Sequence, residues 1–153
     1  MSPKDPAERV AASNRRASHD YEILERIEAG IRLTGSEVKS LRGGRASLAE
    51  AFARIRDGEA WLEGMHIPPY EQGQTKGYDP IRPRKLLLHR REIERLLGKT
   101  KEQGLALIPM RVYFTHGLAK VEIGLGKGKK IHDKRETIKQ RDTEREMKRY
   151  LSR

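Results

Sequence analysis

The stretch Ala51-Phe-Ala-Arg-Ile-Arg-Asp-Gly-Glu-Ala-Trp-Leu-Glu-Gly-Met-His-Ile67 decides the fold class. Apolar and charged residues alternate on both sides of Asp57-Gly58, and that dipeptide supplies the positive-φ positions of a two-residue turn, so the stretch predicts a β-hairpin. Its register sets Ile55 against Ala60 and Ala53 against Leu62 on one face, with Arg54 opposite Trp61 and Arg56 opposite Glu59 on the other. The outer pairs offer a cation–π contact and an ion pair, each worth about 0.5–1 kcal/mol.

His116-Gly117 repeats the pattern. Val112 faces Val121 and Phe114 faces Ala119, while Arg111 opposes Glu122 and Tyr113 opposes Lys120. Two hairpins with one polar face each argue for a sheet that closes on itself. The fold expected is mainly β: a small β-barrel of the OB type with five to seven short strands, two or three short helices and a basic C-terminal tail, with a half-open sandwich as the alternative. Strand-type sequence begins at Tyr21 and runs to Ile27, then resumes at Ile31 and Leu33 after a break at Gly30. Thr34 and Glu37 form a capping box for a short helix over 35–42, which carries Lys39 and Arg42 on its polar face. His89 with Glu92, then Ile93, Leu96 and Leu97 before Gly98, describe a second, amphipathic helix ending on a C′ glycine. Between the hairpins, Pro68-Pro69, Gly73, Gly77, Pro80 and Pro83 mark a long loop too broken for a core element.

The 153 residues include 33 Lys and Arg against 22 Asp and Glu, a net charge of +11. With a mean hydropathy of -0.83, only part of the chain can supply a packed core. Residues 1–18 are expected to be a flexible leader, 19–126 the barrel, and 127–153 a tail that is disordered alone and helical on an anionic partner. That tail holds 11 basic and 5 acidic residues and few large apolar ones, too few to build a core. The absence of cysteine excludes disulfides, thiolate metal sites and a Cys nucleophile. No apolar run has the length of a signal sequence or a membrane span, which places the protein in the cytoplasm without a membrane partner. The pI of about 10.1 favours nucleic acid as the partner.

No constellation for catalysis emerges, and none for a cofactor. Gly124-Leu-Gly-Lys-Gly-Lys-Lys130 fails the Walker A pattern, since Ile123 stands five positions before Gly128 and Lys130 follows the Gly-Lys. Flexible backbone with three lysines still suits RNA phosphates. The five histidines, at 19, 66, 89, 116 and 132, have no partner at metal-ligand spacing. Trp61, Tyr21, Tyr70 and Tyr113 are either base-stacking platforms or packing residues.

Four strings go further: Asn14-Arg-Arg-Ala-Ser-His-Asp-Tyr21, Glu28-Ala-Gly-Ile-Arg-Leu-Thr-Gly-Ser-Glu-Val-Lys-Ser-Leu-Arg42, Asp79-Pro-Ile-Arg-Pro-Arg-Lys-Leu-Leu-Leu-His89 and Gly126-Lys-Gly-Lys-Lys-Ile-His-Asp-Lys-Arg135. Together, and in this order, they resemble the bacterial SsrA-binding protein family (small protein B, SmpB). Gly126 departs from it, standing where the family more often has Ala. The resemblance implies a non-enzymatic OB-type protein that binds the tRNA-like domain of tmRNA and delivers it to stalled ribosomes for rescue by trans-translation. It further implies a monomer linked to elongation factor Tu only through alanyl-tmRNA, whose tail occupies the empty mRNA channel and the decoding centre of the small subunit.

By position, the resemblance assigns RNA binding to Asn14, Arg15, Glu28, Lys39, Arg42, Arg84, Lys85 and Leu87. It assigns ribosome binding to Lys127, Gly128, Lys129, Lys130, His132, Asp133, Lys134 and Arg135, with His132 stacking on an rRNA base. A carboxylate at an RNA surface repels phosphate, so Glu28 is expected either to accept a base or 2′-hydroxyl hydrogen bond or to orient an arginine. Leu87 is expected to pack beneath the surface.

Overall fold

The computed structural model describes residues 8–70 and 76–129. In chain order these form β1 (Arg9–Ser13), α1 (Ala17–Asp20), β2 (Tyr21–Ile31), α2 (Gly35–Arg42), β3 (Phe52–Arg56), β4 (Glu59–Glu63), β5 (Arg84–Leu87), α3 (Arg90–Gln103), β6 (Ala106–Thr115) and β7 (Leu118–Gly128). Both hairpins adopt the predicted register, from Ala53 opposite Leu62 to Arg56 opposite Glu59 and from Arg111 opposite Glu122 to Phe114 opposite Ala119. The turn residues carry the expected positive φ, 53° at Asp57 and 76° at Gly58, 50° at His116 and 77° at Gly117. On the outer face of the first hairpin the partners shift to the diagonal: Arg56 lies 5.5 Å from the Trp61 ring centroid and Arg54 donates to Glu63 at 3.0 Å. Long side chains on a twisted ladder reach diagonal neighbours as readily as direct ones.

The strands order as β1-β6-β3-β4-β5-β2-β7, and β6 pairs again with β7, closing six antiparallel strands into a barrel with β1 added along β6. Strand alternation fills the interior: Val121, Ile123 and Leu125 from β7 meet Leu62, Leu86, Leu107 and Val112, all buried. Leu41 from α2 and Leu96 from α3, both fully buried, join that core. A smaller cluster of Ala17, Ile108 and Met110, with Tyr21 and Ile23 packed against it, covers the outside of the barrel wall near α1. There β7 must be thin, because a Cβ on Gly126 would stand 2.9 Å from the Glu22 carbonyl oxygen.

Several expectations are corrected. The leader is not uniformly flexible: Arg9–Ser13 pairs with β6 through a bulge between Val10 and Ala12, and α1 follows it. That strand has only small inward side chains, which left no hydrophobic period to read. No break occurs at Gly30, since β2 runs through it; the glycine lets β5 approach, as a Cβ there would lie 3.1 Å from Leu87 Cβ. Likewise α3 passes Gly98 and ends at Gly104 in the left-handed region (φ 63°), and its N-cap His89 makes no side-chain cap bond. Tertiary packing of Leu96 outweighs the roughly 1 kcal/mol that a mid-helix glycine costs. The long strands β2 and β7 have 11 residues each, so not all strands are short. Of the tail, Lys130, His132, Asp133, Lys134 and Arg135 lie outside the described residues.

Candidate nucleic-acid interface

Strand parity on β5 sorts Arg-Lys-Leu-Leu into two faces, with Arg84 and Leu86 inward and Lys85 and Leu87 outward. Leu87 is 47% exposed, which overturns its expected place beneath the surface. It forms part of the wall of a groove of about 890 Å³ between β2, β5, the start of α3 and the β3–β4 turn, lined by Lys85, Leu87, His89, Arg90 and Lys120 and also by the carboxylates of Glu28, Asp57, Glu59, Glu92 and Glu94. Lys85 Nζ donates to Glu59 Oε1 at 3.0 Å within it. On the far side of Leu87 a second hollow of about 250 Å³ is apolar, with Leu33, Val38, Phe114 and Leu118 in its lining. The Arg42 guanidinium lies 4.9 Å from the Phe114 ring centroid, and Lys39 Nζ lies 5.5 Å from that of Tyr70. The apolar hollow, with Lys120 in its lining and Arg42 against its Phe114, suits unstacked bases beneath a phosphate backbone.

Glu28 projects from the exposed side of β2, and the Tyr113 hydroxyl donates to its Oε2. Burial pushes the Tyr113 phenol up, and the bond to Glu28 adds to that, so the phenol remains the donor. At 3% exposure, and with the Arg111 guanidinium 4.3 Å from its ring centroid, Tyr113 is not a stacking platform.

Arg84 corrects the expected RNA-binding set. Its guanidinium is wholly buried and donates to Glu37 Oε2 at 2.6 Å, the Met65 carbonyl at 2.7 Å, and the Tyr78 hydroxyl and Pro80 carbonyl at 3.1 Å each. Glu37, 1% exposed, accepts in addition from Arg82, from Tyr78 and from the Thr34 N–H at 2.9 Å. The capping-box glutamate of α2 is thus also the anchor of the long loop, to which Tyr78, Pro80 and Arg82 belong. Burial pushes the Glu37 carboxyl up, but the hydrogen bonds from Arg82, Thr34 and Arg84 and the Arg84 charge outweigh it and hold its pKa at about 2. Because the folded value lies below the ordinary 4.5, this stabilisation is complete above pH 4.5 and is lost as pH falls toward 2. At about 1.4 kcal/mol per pH unit the loss is about 3 kcal/mol. Urea unfolding followed by circular dichroism between pH 7 and pH 2 is expected to show it, and a Glu37→Gln variant is expected to lack that part of the slope.

Asn14 and Arg15 lie apart from the groove. Tyr21 pairs with Gly128 at one end of the β2–β7 ribbon and Glu28 with Glu122 farther along, so seven residues, about 23 Å, separate them. Asn14 donates through Nδ2 to the Pro109 carbonyl at 3.1 Å and through its backbone N–H to Met110 at 2.8 Å. The same turn receives the start of the tail: the Lys129 N–H donates to the Asp20 carbonyl at 2.9 Å, and Lys129 Nζ to the Ser18 carbonyl at 3.4 Å. The predicted residues therefore fall into three groups: the groove and its apolar extension with Glu28, Lys39, Arg42, Lys85 and Leu87; the tail root with Asn14, Arg15, Lys127, Gly128 and Lys129; and the interior with Arg84. Sequence reasoning missed Lys120 and Leu118, whose outward parity on β7 was the available signal, and the hydrogen bond from Tyr113, for which there was none. Among the described residues no group of His, Asp and Glu is gathered for a metal ion, and no helix is long and apolar enough to cross a membrane.

Residues 11–153 match the profile of the SmpB protein family. The chain is 58% identical over 151 residues to the SsrA-binding protein of Salinispora arenicola, covering 99% of this chain and 95% of that one. With the SsrA-binding protein of Carboxydothermus hydrogenoformans it shares 58% identity, over 94% of this chain and 97% of the relative. Among solved structures, a chain from "tmRNA-SmpB: a journey to the center of the bacterial ribosome" superposes with a TM-score of 0.64 at 56% identity, covering 78% of this chain and 84% of that one.

Proposed function

This chain belongs to the SmpB family, and from that premise we propose that it binds the tRNA-like domain of tmRNA (SsrA RNA) and delivers it to stalled ribosomes for rescue by trans-translation. The observation that carries this is the groove, where Glu28, Lys85 and Leu87 converge although 57 residues of sequence separate the first from the second. Lys85 and Lys120 meet phosphates, Leu87 and the apolar hollow meet base faces, and Glu28 accepts from a base or a ribose hydroxyl, which phosphate cannot supply. The barrel acts by binding, with no covalent step and no cofactor. The tail from Lys127 onward enters the vacant mRNA channel and reaches the decoding centre of the small subunit, folding as a helix there. The protein works as a cytoplasmic monomer, and elongation factor Tu is a partner only through alanyl-tmRNA.

Binding of the tRNA-like domain against an elongator tRNA across a salt series tests the proposal, because salt separates charge neutralisation from specific contacts. Glu28→Ala is expected to weaken tmRNA binding about tenfold or more, the worth of a hydrogen bond to a charged group, although it makes the protein more basic. Tighter binding by this variant, or equal affinities for both RNAs that collapse together with salt, would reduce the protein to a generic basic RNA binder.

A further inference from the structure

We propose that Tyr113 is the positioning residue that aims the Glu28 carboxylate at hydrogen-bond donors of RNA in the groove. This rests on the function proposed above and adds a residue to it. Glu28 stands on β2 and Tyr113 on β6, with β7 between them; the register sets Tyr113 opposite Lys120 and Glu28 opposite Glu122. The phenol thus crosses β7 between the Lys120 and Glu122 positions to reach Glu28 Oε2. Its ring is held in turn: the Arg111 guanidinium lies 4.3 Å from the ring centroid and is itself bonded to Glu122 at 3.1 Å and to Glu8. An outward tyrosine that is only 3% exposed has its rotamer fixed by these neighbours.

The choice of a phenol has a chemical consequence. A lysine or arginine at this place would offset the charge of Glu28 and, with several N–H groups, occupy more of its lone pairs. A neutral O–H orients the carboxylate and keeps its negative charge, and among the described residues nothing else donates to Glu28. The remaining lone pairs are directed by a bond made before RNA arrives, so binding need not freeze a free side chain. The RNA groups that fit are N–H and O–H donors of an unpaired nucleotide, since a phosphate would be repelled.

A double-mutant cycle tests this with the full-length protein and the tRNA-like domain of tmRNA as probe. Tyr113→Phe keeps the buried ring and is expected to weaken binding about three- to tenfold, the cost of freezing one side chain that the phenol otherwise holds in place, with the slope of log affinity against log salt unchanged. In a Glu28→Ala background the same substitution is expected to change affinity less than about 1.5-fold, because there is no carboxylate left to aim. Wild-type affinity for Tyr113→Phe, or equal losses in both backgrounds, would overturn the positioning role. Urea unfolding of each variant identifies loss of fold, and a loss of affinity at concentrations where the variant is fully folded is scored. Wild-type affinity for Glu28→Ala itself would instead overturn the groove as the RNA site.

Discussion

Glu37→Leu is expected to lower the unfolding free energy by about 3–5 kcal/mol, the cost of leaving a buried charge without its partner. The charge left behind is Arg84, wholly enclosed and bonded through its Nε to the carboxylate that the substitution removes. Arg84 cannot swing to solvent, since its other nitrogens are tied to Met65, Tyr78 and Pro80. Thermal unfolding is expected to drop by roughly 10–15 °C, at 2–4 °C per kcal/mol for a domain near this size. The double variant Glu37→Leu/Arg84→Met recovers part of the loss, because both charges leave together, but not all of it, because three acceptors lose their donor. A single variant within 1 kcal/mol of wild type in urea would show that Arg84 finds water and that the enclosed pair does not hold the long loop.

Ending the chain after Lys130 is expected to leave affinity for the tRNA-like domain within about threefold, the cost of a few exposed charges, and to reduce tagging of stalled peptides by about a hundredfold or more. The cut removes eight basic and five acidic residues, so the shortened protein keeps a net charge of +8. Its placement follows from the barrel. Lys127 and Gly128 still pair with Glu22 and Tyr21, and the Lys129 N–H holds the Asp20 carbonyl. A cut after Gly126 would strip those pairs and loosen α1, mixing a folding defect into the result. Translation of a message lacking a stop codon, with tmRNA supplied, is the measurement. Undiminished tagging by the shortened protein would remove the tail from the mechanism.

The parts of this fold that were legible are those whose signal is local. Asp57-Gly58 and His116-Gly117 specify turns, alternation specifies which side chains face inward, and the two together specify both registers. The same holds for Thr34 and Glu37, whose capping box forms as read. What escaped depends on distant partners. Glu37 serves a second role only because Arg82 and Arg84 come to it from more than 40 residues away. Arg84 was read by charge, when its parity with Leu86 already placed it on the inner face. β1 has no large inward side chain, so only the open edge of β6 calls it into the sheet. Nothing local marked Glu28, which entered only through the family resemblance, and the phenol that directs it lies 85 residues on and two strands away.

The tail also has a mechanical side. It leaves the barrel from the end of β7, the strand paired to β2 on one side and to β6 on the other along nearly its whole length. Antiparallel hydrogen bonds lie perpendicular to the strand. A pull along the β7 axis therefore loads two ladders in shear, many bonds at once, instead of peeling them one by one. Of the seven strands among the described residues, the one that continues into the tail is the one best placed to carry tension while the partner at the other end moves.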